Sequence, residues 1–146
     1  MKTAFNLKKA VIIIFLLVAG TTAGFAQCDQ TVTLTASKTT KDDGQGNVDE
    51  REEKTIITIT KTEVTIIPGG DDHKMSGAIS SKTCDWKTPF KDGKTVIKAK
   101  LSDDNGHERT ATITITGVAG KITLTFEAEE KPGMKIWVVA DKFEQA

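Results

Sequence analysis

The sequence predicts an all-β fold: one antiparallel meander of about eight or nine strands, closed as an up-and-down barrel, with a two-layer β-sandwich as the alternative. Three features predict it. Apolar and polar residues alternate strictly over most of the chain beyond residue 26. The parity of the apolar positions changes where the chain has to turn. Helical periodicity is almost absent from the same region.

Residues 1–26 read as a secretory signal peptide, and 27–146 as a single all-β domain. Lys2, Lys8 and Lys9 make a basic start, residues 10–19 are uninterruptedly apolar, and Gly24 and Ala26 stand at the −3 and −1 positions of a cleavage site. An uncleaved anchor would want nearer ~20 apolar residues. Lipid attachment at Cys28 would want a small residue where Gln27 stands. No second apolar run is long enough to span a bilayer, so no transmembrane segment is expected after cleavage, and the destination is the periplasm or the extracellular medium. No Asn-x-Ser/Thr sequon occurs.

Without the leader, 120 residues remain, enough for one core. The whole chain has 20 basic and 20 acidic residues; three lysines leave with the leader, so the remainder has 17 against 20 and a net charge of −3. That balance lacks the basic stripe that phosphate-backbone binding requires, so nucleic acid is not an expected partner. The aromatic residues beyond 26 are Trp86, Phe90, Phe126, Trp137 and Phe143, too few for stacking platforms. Nothing in the sequence specifies an oligomeric state.

Cys28 and Cys84 are the two cysteines. In an exported chain an even count predicts a disulfide. The bridge would close a loop of about 57 residues, removing on the order of 4 kcal/mol of unfolded-state entropy in the chain-entropy view. A redox pair would want the closer Cys-x-x-Cys spacing, which is absent.

The strands follow in order at about 31–37, 53–60, 63–67, 74–80, 83–87, 94–101, 107–116, 121–128 and 134–142. In the first, Val32, Leu34 and Ala36 share a face; Ala111, Ile113 and Ile115 do so later, as do Ile122, Leu124, Phe126 and Ala128. The apolar face is odd-numbered through Ile115 and even-numbered from Ile122, so a turn falls within 117–120. Ile57 and Ile59 against Val64 and Ile66 place another turn or bulge near 61–63, without Gly or Pro. Asn105-Gly106 signals a hairpin, Lys131-Pro132-Gly133 a type II turn, and Pro68-Gly69-Gly70 a loop. The polar stretch of about 38–52 reads as one flexible loop.

Sequential hairpins favour a barrel, because Greek-key sandwiches need long crossing connections. The plan is similar to lipocalin-like and fatty-acid-binding barrels in fold alone. The Gly-x-Trp that lipocalins carry near the first strand is missing, the first tryptophan being Trp86, and no family follows from it.

No motif of enzymatic chemistry occurs: no Gly-x-Ser-x-Gly elbow, no His-Glu-x-x-His and no phosphate-binding glycine loop, so neither catalysis nor a cofactor is expected. Asp71, Asp72, His73, Asp103, Asp104 and His107 are candidate metal ligands if their two loops meet. Asp and Asn in such loops are equally explained by turn capping. Threonine rows at 31–35 and 110–116 resemble ice-binding arrays, but those need flat surfaces and a meander twists.

The interior set Leu34, Ile57, Ile59, Ile66, Ile97, Leu101, Ile113, Ile115, Leu124, Phe126, Ile136 and Val138 is aliphatic apart from one ring. An eight-stranded barrel of that lining either fills itself or leaves room for one small ligand. The expected function is therefore an exported, non-catalytic barrel carrying a small apolar molecule. Its alternatives are a solid-core extracellular or periplasmic interaction module and, third, a metal-binding protein using the His73 and His107 turns.

Overall fold

The computed structural model describes residues 28–69 and 73–146; the expected signal peptide, with its expected cleavage site, and the loop residues Asp71 and Asp72 lie outside the described residues. The described strands are β1 (Val32–Asp42), β2 (Val48–Ile59), β3 (Glu63–Pro68), β4 (Met75–Thr88), β5 (Asp92–Asp103), β6 (Glu108–Val118), β7 (Lys121–Ala128), β8 (Lys135–Val139) and β9 (Lys142–Gln145). From β1 to β8 each strand pairs antiparallel with the next in sequence. β1 also pairs with β8 and β9 on its other side, which closes an eight-stranded up-and-down barrel with β9 as an additional strand. Closure pairs each of β1–β8 on both sides over part of its length, while β2 at 48–54 and β4 beyond Ala78 run past β3.

The alternation read from the sequence is the inside–outside alternation of the wall. Leu34, Ile57, Ile59, Val64, Ile97, Leu101, Ile113 and Ile115 are fully buried. Register stacks them across strands: Ile97 lies opposite Ile113, which lies opposite Phe126. Threonines 112, 114 and 116 fall on the other face, opposite Glu127, Thr125 and Thr123.

Parity also located the turns. At 60–63 the Thr60 hydroxyl accepts the N–H groups of Thr62 and Glu63, at 3.3 and 2.9 Å, so a threonine makes the turn that no Gly or Pro announces. At the β6–β7 turn, Ala119 and Gly120 both have positive φ, 51° and 83°, the type I′ geometry of a tight hairpin. The Met134 N–H donates to the Lys131 carbonyl at 3.2 Å, with Gly133 at φ 86°, as a type II turn requires.

Three expectations need correction. The strands at 74–80 and 83–87 are one strand, β4, because a bulge between Ile79 and Ser81 absorbs the change of parity without a turn. The polar stretch 38–52 is not one long loop. β1 pairs with β2 as far as Asp42 and Val48, and only 43–47 turn; backbone pairing does not need apolar side chains when both faces are wet. The last strand, 134–142, divides into β8 and β9. The two share one register along β1: stepping back from Thr40 to Thr33 matches stepping on from Trp137 to Glu144. The break coincides with the β1 register shift between Ala36 and Lys38, where Asp141 N–H reaches the Thr35 carbonyl at 2.8 Å.

One end of the barrel is sealed. The Cys28–Cys84 disulfide ties the segment before β1 to the part of β4 that runs beyond β3. Beside it, Trp86, Phe90 and Phe143 pack as a cluster, with ring centroids 6.0 Å apart for Trp86–Phe143 and 5.1 Å for the edge-on Phe90–Phe143 pair. Gly117 and Gly93 face each other across β5 and β6 under the indole. A Cβ on Gly117 would stand 2.7 Å from both the Trp86 ring and the Lys91 carbonyl oxygen, so only glycine fits there.

Candidate functional site

The opposite end is built differently, and its construction is visible along one strand. The inward positions of β2 are Asp49, Arg51, Glu53, Thr55, Ile57 and Ile59. Read from the β1–β2 turn inward, they pass from charged and exposed, through a buried threonine, to fully buried isoleucine. β1 reaches the same place by its register shift after Ala36, which brings Thr39 and Lys41 onto the lining side.

Between these strands and β7–β8 lies a cavity of about 140 Å³, almost wholly apolar. Ile57, Ile66, Leu124, Phe126 and Val138 form its buried part. Ile136, Trp137, Met75, Pro68, Thr39 and Glu53 stand half-buried around its mouth. Thr55 is buried within it, and its hydroxyl lies 3.1 Å from that of Thr39, so these two hydroxyls satisfy each other. A shallower depression adjoins the mouth, lined by Thr39, Lys41, Asp49, Arg51, Glu53 and Ile136. Arg51 is held there by Asp49, with Nε donating to Oδ2 at 2.8 Å.

Of the twelve interior residues named from sequence, Ile57, Ile66, Leu124, Phe126, Ile136 and Val138 line this cavity. Leu34, Ile59, Ile97, Leu101, Ile113 and Ile115 do not; they fill the barrel nearer its sealed end and its β5–β6 side. Sequence reasoning missed Thr39, Glu53, Thr55, Pro68, Met75 and Trp137. The gradient along the odd positions of β2 was the available signal for Glu53 and Thr55. No pattern marks Thr39, because its facing depends on the bulge.

The two candidate turns adjoin, since Met75 at the start of β4 pairs with Asp103 at the end of β5. His73 is exposed at the edge of the β3–β4 loop, while Asp71 and Asp72 lie outside the described residues. Asp103 is engaged in its own hairpin: Oδ1 accepts the N–H groups of Asn105 and His107, both at 2.9 Å, and Oδ2 lies 3.1 Å from His107 Nδ1. The His107 N–H, above all, holds this carboxyl below the usual carboxylate range. Asp104 is exposed at the tip of that turn. Among the described residues, no three His, Cys, Asp or Glu side chains are grouped to hold a metal ion.

Among the described residues no helix is long and apolar enough to cross a membrane. Comparison with protein-family models, with curated proteins and with solved structures finds no match to this chain.

Proposed function

We propose that the chain is an exported, non-catalytic barrel that holds a small apolar molecule in the cavity at its open end. The observation that carries this reading is the asymmetry of the interior: one end is packed solid and sealed by a disulfide and three rings, while the other keeps an apolar chamber with a half-open mouth. An apolar chamber of this kind stays poorly hydrated and gains by taking up an aliphatic chain. At about 30 Å³ for each water-sized group, it accommodates a chain of about five carbons.

Export rests on the leader pattern and on the disulfide, which persists in an oxidising compartment. The mass of the secreted form tests it: cleavage after Ala26 is expected, and a retained leader would overturn it.

A titration with straight-chain alcohols of three to eight carbons, followed by methyl NMR, tests the chamber. Each methylene is worth about 0.8 kcal/mol, so affinity rises about fourfold per carbon and levels off near five carbons. Shifts are expected at Ile57, Ile66, Leu124 and Val138 and not at Ile97 or Ile113 in the solid part. Absence of shifts, or shifts scattered over the outer wall, would overturn the reading and leave the interaction module in its place.

A further inference from the structure

The chamber has one charged group in its own wall. Glu53 lines both the apolar cavity and the polar depression outside it, whereas Lys41, Asp49 and Arg51 line only the depression. Arg51 is taken up by Asp49. The Glu53 carboxylate forms no ion pair or hydrogen bond with the described residues, and it lies against the backbone of Gly69, where an ideal Cβ would come within 2.9 Å of Oε2. A half-buried carboxylate at the wet rim of an apolar chamber can exchange water donors for those of a ligand head group.

We infer that the molecule held here is a cationic amphiphile, a primary alkylammonium with a short aliphatic tail, whose head group is bound by Glu53. This rests on the reading of the chamber as a ligand site and adds the chemistry of the head group. With its tail among Ile57, Ile66, Leu124, Phe126 and Val138, the ligand brings its polar end to the level of Glu53 and Thr39. Both offer acceptors, a carboxylate and a hydroxyl oxygen, and an ammonium has three donors and no acceptor. A carboxylate head group at the same level would meet Glu53 as a like charge before it could reach Lys41 farther out.

Three probes of equal length decide it: pentylammonium, 1-pentanol and pentanoate, titrated at pH 7 into the secreted protein. The ammonium is expected to bind roughly tenfold more tightly than the alcohol, and the carboxylate more weakly than either. The ammonium preference should shrink as salt is raised, since the mouth is wet. In Glu53→Gln the ratio of ammonium to alcohol affinity is expected to fall to about one. If alcohol and carboxylate bind as tightly as the ammonium, the chamber stands and the head-group assignment is overturned. An unchanged ratio in Glu53→Gln overturns it too. If none of the three binds, the chamber reading and this inference fall together.

Discussion

Trp86 donates its indole N–H to the hydroxyl of Thr95 at 2.7 Å, with both residues buried inside the sealed end of the barrel. The bond makes a large ring usable as a plug: its apolar faces pack on Phe143 and over Gly93 and Gly117, and its polar atom has a partner. Thr95→Val keeps the shape and removes the acceptor. A buried donor left unpaired costs about 1–3 kcal/mol, so the denaturant midpoint is expected to fall by a corresponding amount. Thr95→Ser, which restores the acceptor, should recover most of the loss. Equal losses in the two variants would mean that packing, not the hydrogen bond, holds the indole.

The Cys28–Cys84 bridge, with Cα atoms 5.8 Å apart, fastens the start of the domain to β4 where β4 has outrun β3. Cys28→Ser with Cys84→Ser is expected to lower stability by about 2–4 kcal/mol. The unreduced protein should take up no alkylating label even when denatured, and two labels after reduction, read by intact mass. Uptake before reduction would remove the bridge.

Acid should loosen the open end before the sealed one. Three carboxyls of its loops have pKa values below their usual range: Asp43 through the Asn47 side-chain amide and the Gln45 N–H, Asp103 chiefly through the His107 N–H, and Glu130 chiefly through the Thr110 N–H. A carboxyl with a depressed folded pKa contributes stability that is present above its unfolded value, about 4, and is lost as the pH falls through the folded one. Amide protection factors at Gln45, His107 and Thr110 are therefore expected to drop between pH 5 and 3, while those at Val96 and Ile115 hold. A simultaneous loss at both sets would contradict this.

Filling the mouth should abolish uptake without unfolding the barrel. Ile136 is half-buried and borders both the chamber and the outer depression. Ile136→Trp is expected to weaken alcohol binding at least about tenfold, with the melting temperature little changed because the new ring occupies existing space. Unaltered binding would place the ligand elsewhere.

The sequence by itself determined the wall. Ile, Val and Leu at every second position fix which face of each strand is inward, and the parity switches at Ile59–Val64 and Ile115–Ile122 fix two turns, because a one-residue slip would turn a whole face into water. The disulfide was legible because the chain has only two cysteines. Only the tertiary structure decided where the interior is solid and where it is hollow. Leu34 and Ile66 look alike as inward residues, yet one is packed away and the other lines a chamber, since that depends on what three or four strands bring to one level. The register shifts of the β1–β2 and β4–β5 ladders were likewise hidden, because one extra residue, on β2 opposite Ser37 and on β4 after Ile79, changes facing without any change in composition, and Thr39 became part of the mouth.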